Sequence, residues 1–210
     1  MGMPGIHDDS DQASPASQPP FIGLTGGIGA GKSEALAALG RLGAATLSTD
    51  AVVHELYADP EVRDAVVERW GPDVAPGGKV DRAAVAGRAF ADEEERAWLE
   101  GQLWPRVGTR MAAWREAETA ADPPALVVEV PLLFESGMEA GFDATIAVVA
   151  DETVRAQRAG ARGHAGVDER TARQLTQEEK AARATFVVAN SGTLDELETA
   201  LSDLLGRLSG

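Results

Sequence analysis

The octet GGIGAGKS, Gly26 to Ser33, sets four glycines beside one lysine and one hydroxyl and is followed by Glu34. It fits G-x-x-x-x-G-K-[ST], a spacing that lets backbone N–H groups from Gly27, Ile28, Gly29, Ala30 and Gly31 converge on phosphate oxygens. Lys32 then supplies a fixed cation for the outer phosphates, and the Ser33 hydroxyl is a candidate ligand for Mg²⁺. The stretch is expected to bind a nucleoside triphosphate, with a bias to ATP. It does not by itself choose a reaction, because the same loop serves GTPases, motors, transporters and kinases.

Other residues supply the chemistry. Asp50 closes the run LSTD and can take the proton of an attacking hydroxyl or help to organise the magnesium shell. A helix N-cap before AVVHELY is the structural alternative for it. Arg155, Arg158 and Arg162 recur at i, i+3 and i+7, one face of a helix, with Arg170 and Arg173 beyond them. Planar guanidinium forks suit phosphate oxygens, and a solvated face paired with nearby acids is the plainer use of the same pattern. No NKxD-type guanine motif and no LSGGQ-type stretch is present.

To position these groups, five apolar runs read as strands: residues 21–25, 44–49, 125–130, 144–150 and 185–189. They alternate with helical stretches, so the expectation is an α/β fold, a P-loop NTPase core with a five-stranded parallel sheet between helices and ligands at its carboxyl edge. Two long gaps interrupt the alternation. The first is mostly helical, with a turn at residues 71–81 and a break expected at Pro105; Val107, Met111 and Trp114 follow at helical spacing and read as packing. The second reads as two polar helices around RGHAG.

Composition bounds the rest. Of the 210 residues 34 are acidic and 19 are Lys or Arg, a net charge of −15, which argues against non-specific nucleic-acid binding. With no cysteine there is neither disulfide nor thiolate metal site, and the natural setting is cytoplasmic. No apolar run approaches the roughly 20 residues of a membrane span. Residues 1–20, rich in Pro, Ser, Asp and Gln, read as a disordered tail rather than a signal peptide. Nothing here fixes an oligomeric state, and a monomer is compatible.

Taken together, LTGGIGAGKS, STD, WLEGQLWPRV, EVPLLFES, QRAGAR, RTARQLTQEEKAARA and VVANSG, in this order, resemble the dephospho-CoA kinase family. The resemblance covers nearly all of the chain after the tail. It implies phosphorylation of the ribose 3′-hydroxyl of dephospho-CoA by ATP with Mg²⁺, the last step of coenzyme A synthesis. It also implies a nucleotide-binding core (21–50, 121–150 and 184–210), a helical acceptor domain (51–120) and a lid (151–183). Carried over by position, Lys32 and Ser33 match the phosphate and magnesium residues, Asp50 the base, Arg158 and Arg162 the lid arginines, and Asn190 with Gly192 the turn near adenine. Glu135 is the one polar candidate in PLLFE. Glu34, Ser48, His54 and Trp104 depart from the family's usual Thr, Asp, Arg and His. The readings set against this one are a kinase for another small hydroxyl or a nucleotide, and a nucleotide-dependent regulatory protein without transfer.

Overall fold

The computed structural model describes residues 18–161 and 174–208. Five parallel strands form one sheet in the order β2-β3-β1-β4-β5. The central strand β1 (Phe21–Gly26) is buried throughout. It pairs with β3 (Leu126–Glu129) through Leu24 and Glu129, and with β4 (Ala144–Val149) through Gly26 and Val148. The flanks are β2 (Ala45–Ser48), on β3, and β5 (Phe186–Ala189), on β4. Every pairing matches the expected parallel α/β core. Strand ends fall up to a residue from the expected bounds.

Alternation along the strands divides the sheet's two faces. Ile22, Leu24, Val127, Ile146 and Val148 pack against α1 (Lys32–Arg41) and α8 (Leu194–Leu208). Helix α8 offers Leu197, Leu201, Leu204 and Leu205, the spacing of one helical stripe, each worth about 1.5–3 kcal/mol when fully buried. On the opposite face Phe21, Leu126 and Val128 join Leu133 and Phe134.

Between β2 and β3 the chain forms α2 (Thr49–Leu56), α3 (Pro60–Trp70), α4 (Arg82–Ala89) and α5 (Glu93–Thr119). Asp59, Asp81 and Asp92 cap the last three by accepting from their first-turn amides. The expected turn is two 3₁₀ pieces, Pro72–Val74 and Pro76–Gly78. These helices enclose an apolar cluster of their own, including Val52, Leu56, Val62, Val66, Val85, Leu99, Leu103 and Val107.

The expected break at Pro105 does not occur, and α5 runs straight through it. Proline there removes one ladder donor and crowds the preceding turn, a cost of about 3 kcal/mol. Burial of Leu99, Leu103 and Val107 on both sides of the ring offsets it. Arg106 Nη1 also donates to the Gln102 carbonyl at 2.8 Å, beside the interruption. Further along, Met111 and Trp114 pack against the sheet rather than the helical cluster, so one helix joins the two cores.

Candidate functional site

At the carboxyl end of β1 the chain turns through Gly27–Gly31 into α1, with Gly31 at the N-cap. Gly29 and Gly31 have φ of 75° and 89°, left-handed values that suit glycine. Space is as restrictive as conformation. A Cβ on Gly29 would lie 2.6 Å from the Arg155 carbonyl oxygen, and one on Gly31 would fall on the Asn190 amide nitrogen. Lys32 Nζ donates to the carbonyls of Gly26 and Gly27 at 3.0 and 3.1 Å, so the ammonium lies across the start of the loop. Ser33 is exposed in the first turn of α1, where the helix amides add positive potential. Glu34 does not face the loop through its carboxylate. That group pairs with Arg41 at 3.3 Å, and Arg41 also holds Glu198 at 2.7 Å.

Contacts from distant segments brace this loop. The Asn190 side-chain amide donates to the Ala30 carbonyl at 2.9 Å, and the Asn190 backbone carbonyl accepts from Arg158 Nη1 at 2.9 Å. Asn190 is 3% exposed, which makes its amide a strut beneath the loop. Arg155 and Arg158 lie on α6 (Glu152–Ala161) and are half-buried. Arg155 Nε donates to the Ile28 carbonyl at 3.0 Å while Nη1 pairs with Glu152 at 2.7 Å. Both therefore turn toward the phosphate loop. Arg162, Arg170 and Arg173 lie outside the described residues.

Asp50 is neither the end of β2 nor a cap. Ser48 is the N-cap of α2, and Asp50 is the second residue of that helix, exposed at the carboxyl edge. Buried Thr49 fixes the helix start by donating to the Glu129 carbonyl at 2.9 Å. Strands β2 and β1 are separated by β3 alone, so Asp50 and the phosphate loop rise from the same edge two strand spacings apart, roughly 10 Å.

Two charged residues have a place that spacing alone does not reveal. Glu129 is a 5% exposed acid at the end of β3, between the ends of β2 and β1. An acid closing the apolar run ALVVEV is the signal that could have drawn attention to it. Glu135 faces Lys180 of α7 (Gln177–Arg183), with Oε1 2.9 Å from an ammonium that is wholly buried. That ammonium also donates to the Pro131 carbonyl at 2.6 Å and lies 3.4 Å from Thr25 Oγ1. Burial holds the Lys180 amine below its ordinary range, with Glu135 opposing that shift. Nearby, Gln177 takes both backbone groups of Ala150 through its amide, each at 3.0 Å. Glu135 is thus part of a fastening between α7, the PLLFE turn and the root of the phosphate loop.

The donor set suits magnesium. The described residues contain no group of three His, Cys, Asp or Glu that would form a protein-only metal cage. A hydroxyl at Ser33 and the carboxylates of Asp50 and Glu129 are hard oxygen donors. Mg²⁺ is commonly held by one or two carboxylates together with substrate phosphates.

The family profile for dephospho-CoA kinase matches residues 20–196. A dephospho-CoA kinase of Deinococcus radiodurans is 42% identical over 202 residues, covering 95% of this chain and 97% of the relative. One from Thermus thermophilus is 36% identical, covering 93% and 95%. A crystal structure from Thermus thermophilus superposes with a TM-score of 0.76 at 36% identity, over 92% of this chain and all of the other. The dephospho-CoA kinase of Campylobacter jejuni, at 20% identity and a TM-score of 0.67, shares the fold over 90% of this chain and 96% of its own.

Proposed function

This chain belongs to the dephospho-CoA kinase family, and from that premise we propose how its residues carry the reaction. The activity is transfer of the γ-phosphoryl group of ATP to the 3′-hydroxyl of dephospho-CoA, giving coenzyme A and ADP, the final step of coenzyme A synthesis. One observation supports the assignment of roles above the others: Asp50 and the phosphate loop share the carboxyl edge with only β3 between them. A ribose lying over β3 would present its hydroxyl to both.

In this reading the amides of residues 27–33, with Lys32, hold the β- and γ-phosphates. Asp50 accepts the proton as the 3′-oxygen forms its bond to phosphorus and the bond from phosphorus to the β-bridging oxygen breaks. Ser33, Asp50 and Glu129 are the residues that would hold magnesium, which would neutralise charge on the phosphates when bound. Arg158 and Arg162 add donors for charge that develops on the transferring group. Asn190 acts by supporting the loop, and the turn at Ser191 and Gly192 is left to border the base. The helical segment 51–120, which has its own apolar cluster, receives the acceptor, and residues 151–183 cover the phosphates. Use of ATP argues for a cytoplasmic setting; among the described residues no helix is long and apolar enough to cross a membrane.

The test is a coupled assay of ADP release with ATP, Mg²⁺ and a panel of hydroxyl acceptors, with the product identified by mass. Phosphorylated dephospho-CoA is the expected product. Turnover of another acceptor with none of dephospho-CoA would overturn the substrate assignment, and no turnover of any acceptor would favour a regulatory protein.

A further inference from the structure

On α2, His54 lies four residues beyond Asp50, one turn along the same face and about 6 Å further along the axis. Its Nδ1 is 3.1 Å from Nη1 of Arg82, the first residue of α4. Arginine has only donors, so Nδ1 accepts and the ring proton sits on Nε2. His54 thereby holds the guanidinium one turn from Asp50, on the exposed side of both helices.

The charge of Arg82 is not used internally. Arg41, Arg63, Arg69, Arg96, Arg106 and Arg155 each have a carboxylate within 4.0 Å; Arg82, like Arg88 and Arg110, has none among the described residues, and what distinguishes it is the His54 side chain that holds it one turn from Asp50. Oδ1 of the adjacent Asp81 carboxylate accepts from the amides of Ala83 and Ala84, at 2.9 and 3.2 Å, as the cap of α4. In a chain with 34 acids and 19 Lys and Arg, a cation left without an acid partner beside the acceptor's side of the site marks a place for an anion from outside.

We propose that Arg82, oriented by His54, binds the diphosphate of dephospho-CoA while Asp50 meets the 3′-hydroxyl of the same nucleotide. The inference rests on the function given above and adds to it the group that reads the acceptor's anionic arm. In the acceptor the ribose ring alone separates the 3′-hydroxyl from the 5′-linked diphosphate. One helical turn plus the reach of a guanidinium spans that interval. The planar fork takes two phosphate oxygens, and the imidazole Nε2–H is a third donor beside it. His54 is thus a positioning residue. Arg82 is a determinant of specificity for nucleotides that carry a 5′-phosphoryl chain over neutral nucleosides.

Steady-state kinetics on Arg82→Gln, Arg82→Lys and His54→Ala test this, with dephospho-CoA and ATP varied in turn and KCl titrated. Arg82→Gln is expected to raise KM for dephospho-CoA by at least about tenfold while kcat and KM for ATP stay within about twofold. The wild-type rise of that KM with salt should flatten in Arg82→Gln and persist in Arg82→Lys, which should recover only part of the affinity. His54→Ala should give a smaller rise, since the cation remains but is no longer held. A residue that only stabilised the α2–α4 contact would leave the salt dependence intact. Unchanged KM for dephospho-CoA in Arg82→Gln, or an unchanged salt slope, would overturn the proposal. The wild-type arm separates this from the parent reading: turnover of dephospho-CoA by wild type with no effect at Arg82 removes the inference alone, whereas no wild-type turnover removes both.

Discussion

Replacement of Lys180 by methionine removes a wholly buried charge with little change in side-chain volume. The ammonium would leave behind the Pro131 carbonyl, which can still accept from Thr25 Oγ1 at 3.2 Å. The Glu135 carboxylate fares worse. Its Oε1 would keep only the Leu175 amide, at 2.9 Å, and its buried Oε2 has no partner at all. Breaking a buried pair on one side costs about 3–5 kcal/mol. In a chain of this size that corresponds to a Tm lower by about 6–20 °C. The double variant Lys180→Met/Glu135→Leu removes both charges and orphans only the Leu175 amide, a cost of about 1–3 kcal/mol. It should therefore be more stable than the single variant, with a coupling of at least about 1.5 kcal/mol.

The same pair fixes the sign of a pH effect. Burial depresses the Lys180 amine below its ordinary 10.5, so between the lowered native value and 10.5 the unfolded chain binds more protons than the native one. Stability of wild type relative to the double variant should rise as pH climbs through that window. Below it both states are protonated, and the cost of the buried charge is fully present. Urea denaturation followed by circular dichroism, at neutral and alkaline pH for all variants, measures both effects. A single variant within about 1 kcal/mol of wild type, or strict additivity in the double, would refute the account of Lys180 and Glu135 as a buried pair.

Asp50→Asn should retain ATP binding by calorimetry while kcat falls roughly 10²–10⁴-fold, the range for a positioned base; wild-type turnover would remove Asp50 from the mechanism. Gly29→Ala combines φ of 75° with a Cβ only 2.6 Å from the Arg155 carbonyl, so it should lower stability by about 1–3 kcal/mol and raise KM for ATP several-fold. An unfolding midpoint equal to wild type would mean that α6 does not rest on the loop. Hydrogen bonds from Arg69 and then Trp70 hold the Glu95 carboxyl below its ordinary 4.5. The stability that Glu95 contributes over Glu95→Gln should be level from neutral pH down to about 4.5 and disappear as pH falls through the lowered native value; a difference independent of pH would dismiss the contact.

Sequence legibility followed the distance over which each feature is encoded. The phosphate loop could be read because its requirements, small residues and a following helix, fall on consecutive positions. Strand identity was equally local, since each run is apolar and short. Asp50 was read at the right place on the sheet edge but with the wrong local role, because LSTD suits a strand end and a helix start equally until Thr49 is seen bonded to Glu129. At Pro105 the local penalty was real, and packing on either side of the ring outweighed it. The bracing of the loop was illegible. Asn190 reaches Ala30 across 160 positions and Arg155 reaches Ile28 across 127, and no periodicity carries such information. Both PLLFE and QEEK stood out as blocks, yet nothing in either says that Glu135 and Lys180 meet.

Those long-range contacts bear on how arginines reach phosphate. The spacing of Arg155 and Arg158 suits either phosphate oxygens or a solvated face paired with acids, and the resemblance implies that Arg158 belongs to a lid. They lie against the loop, donating to the neutral carbonyls of Ile28 and Asn190. Phosphate oxygens carry charge and accept a guanidinium fork bidentately, which makes them stronger partners for arginine than neutral carbonyls. A triphosphate on this loop would therefore compete for the same guanidinium groups over a short reach, with much of their ordering already in place. In this account α6 differs from a hinge that swings in from solvent. It is part of the loop's support, its backbone in contact with Gly29 and its side chains within reach of the phosphates. Arg158→Ala should then lower both turnover and stability, the latter by about 0.5–1.5 kcal/mol for the lost bond to Asn190. A change confined to turnover, as for an exposed arginine, would return α6 to the role of a mobile cover.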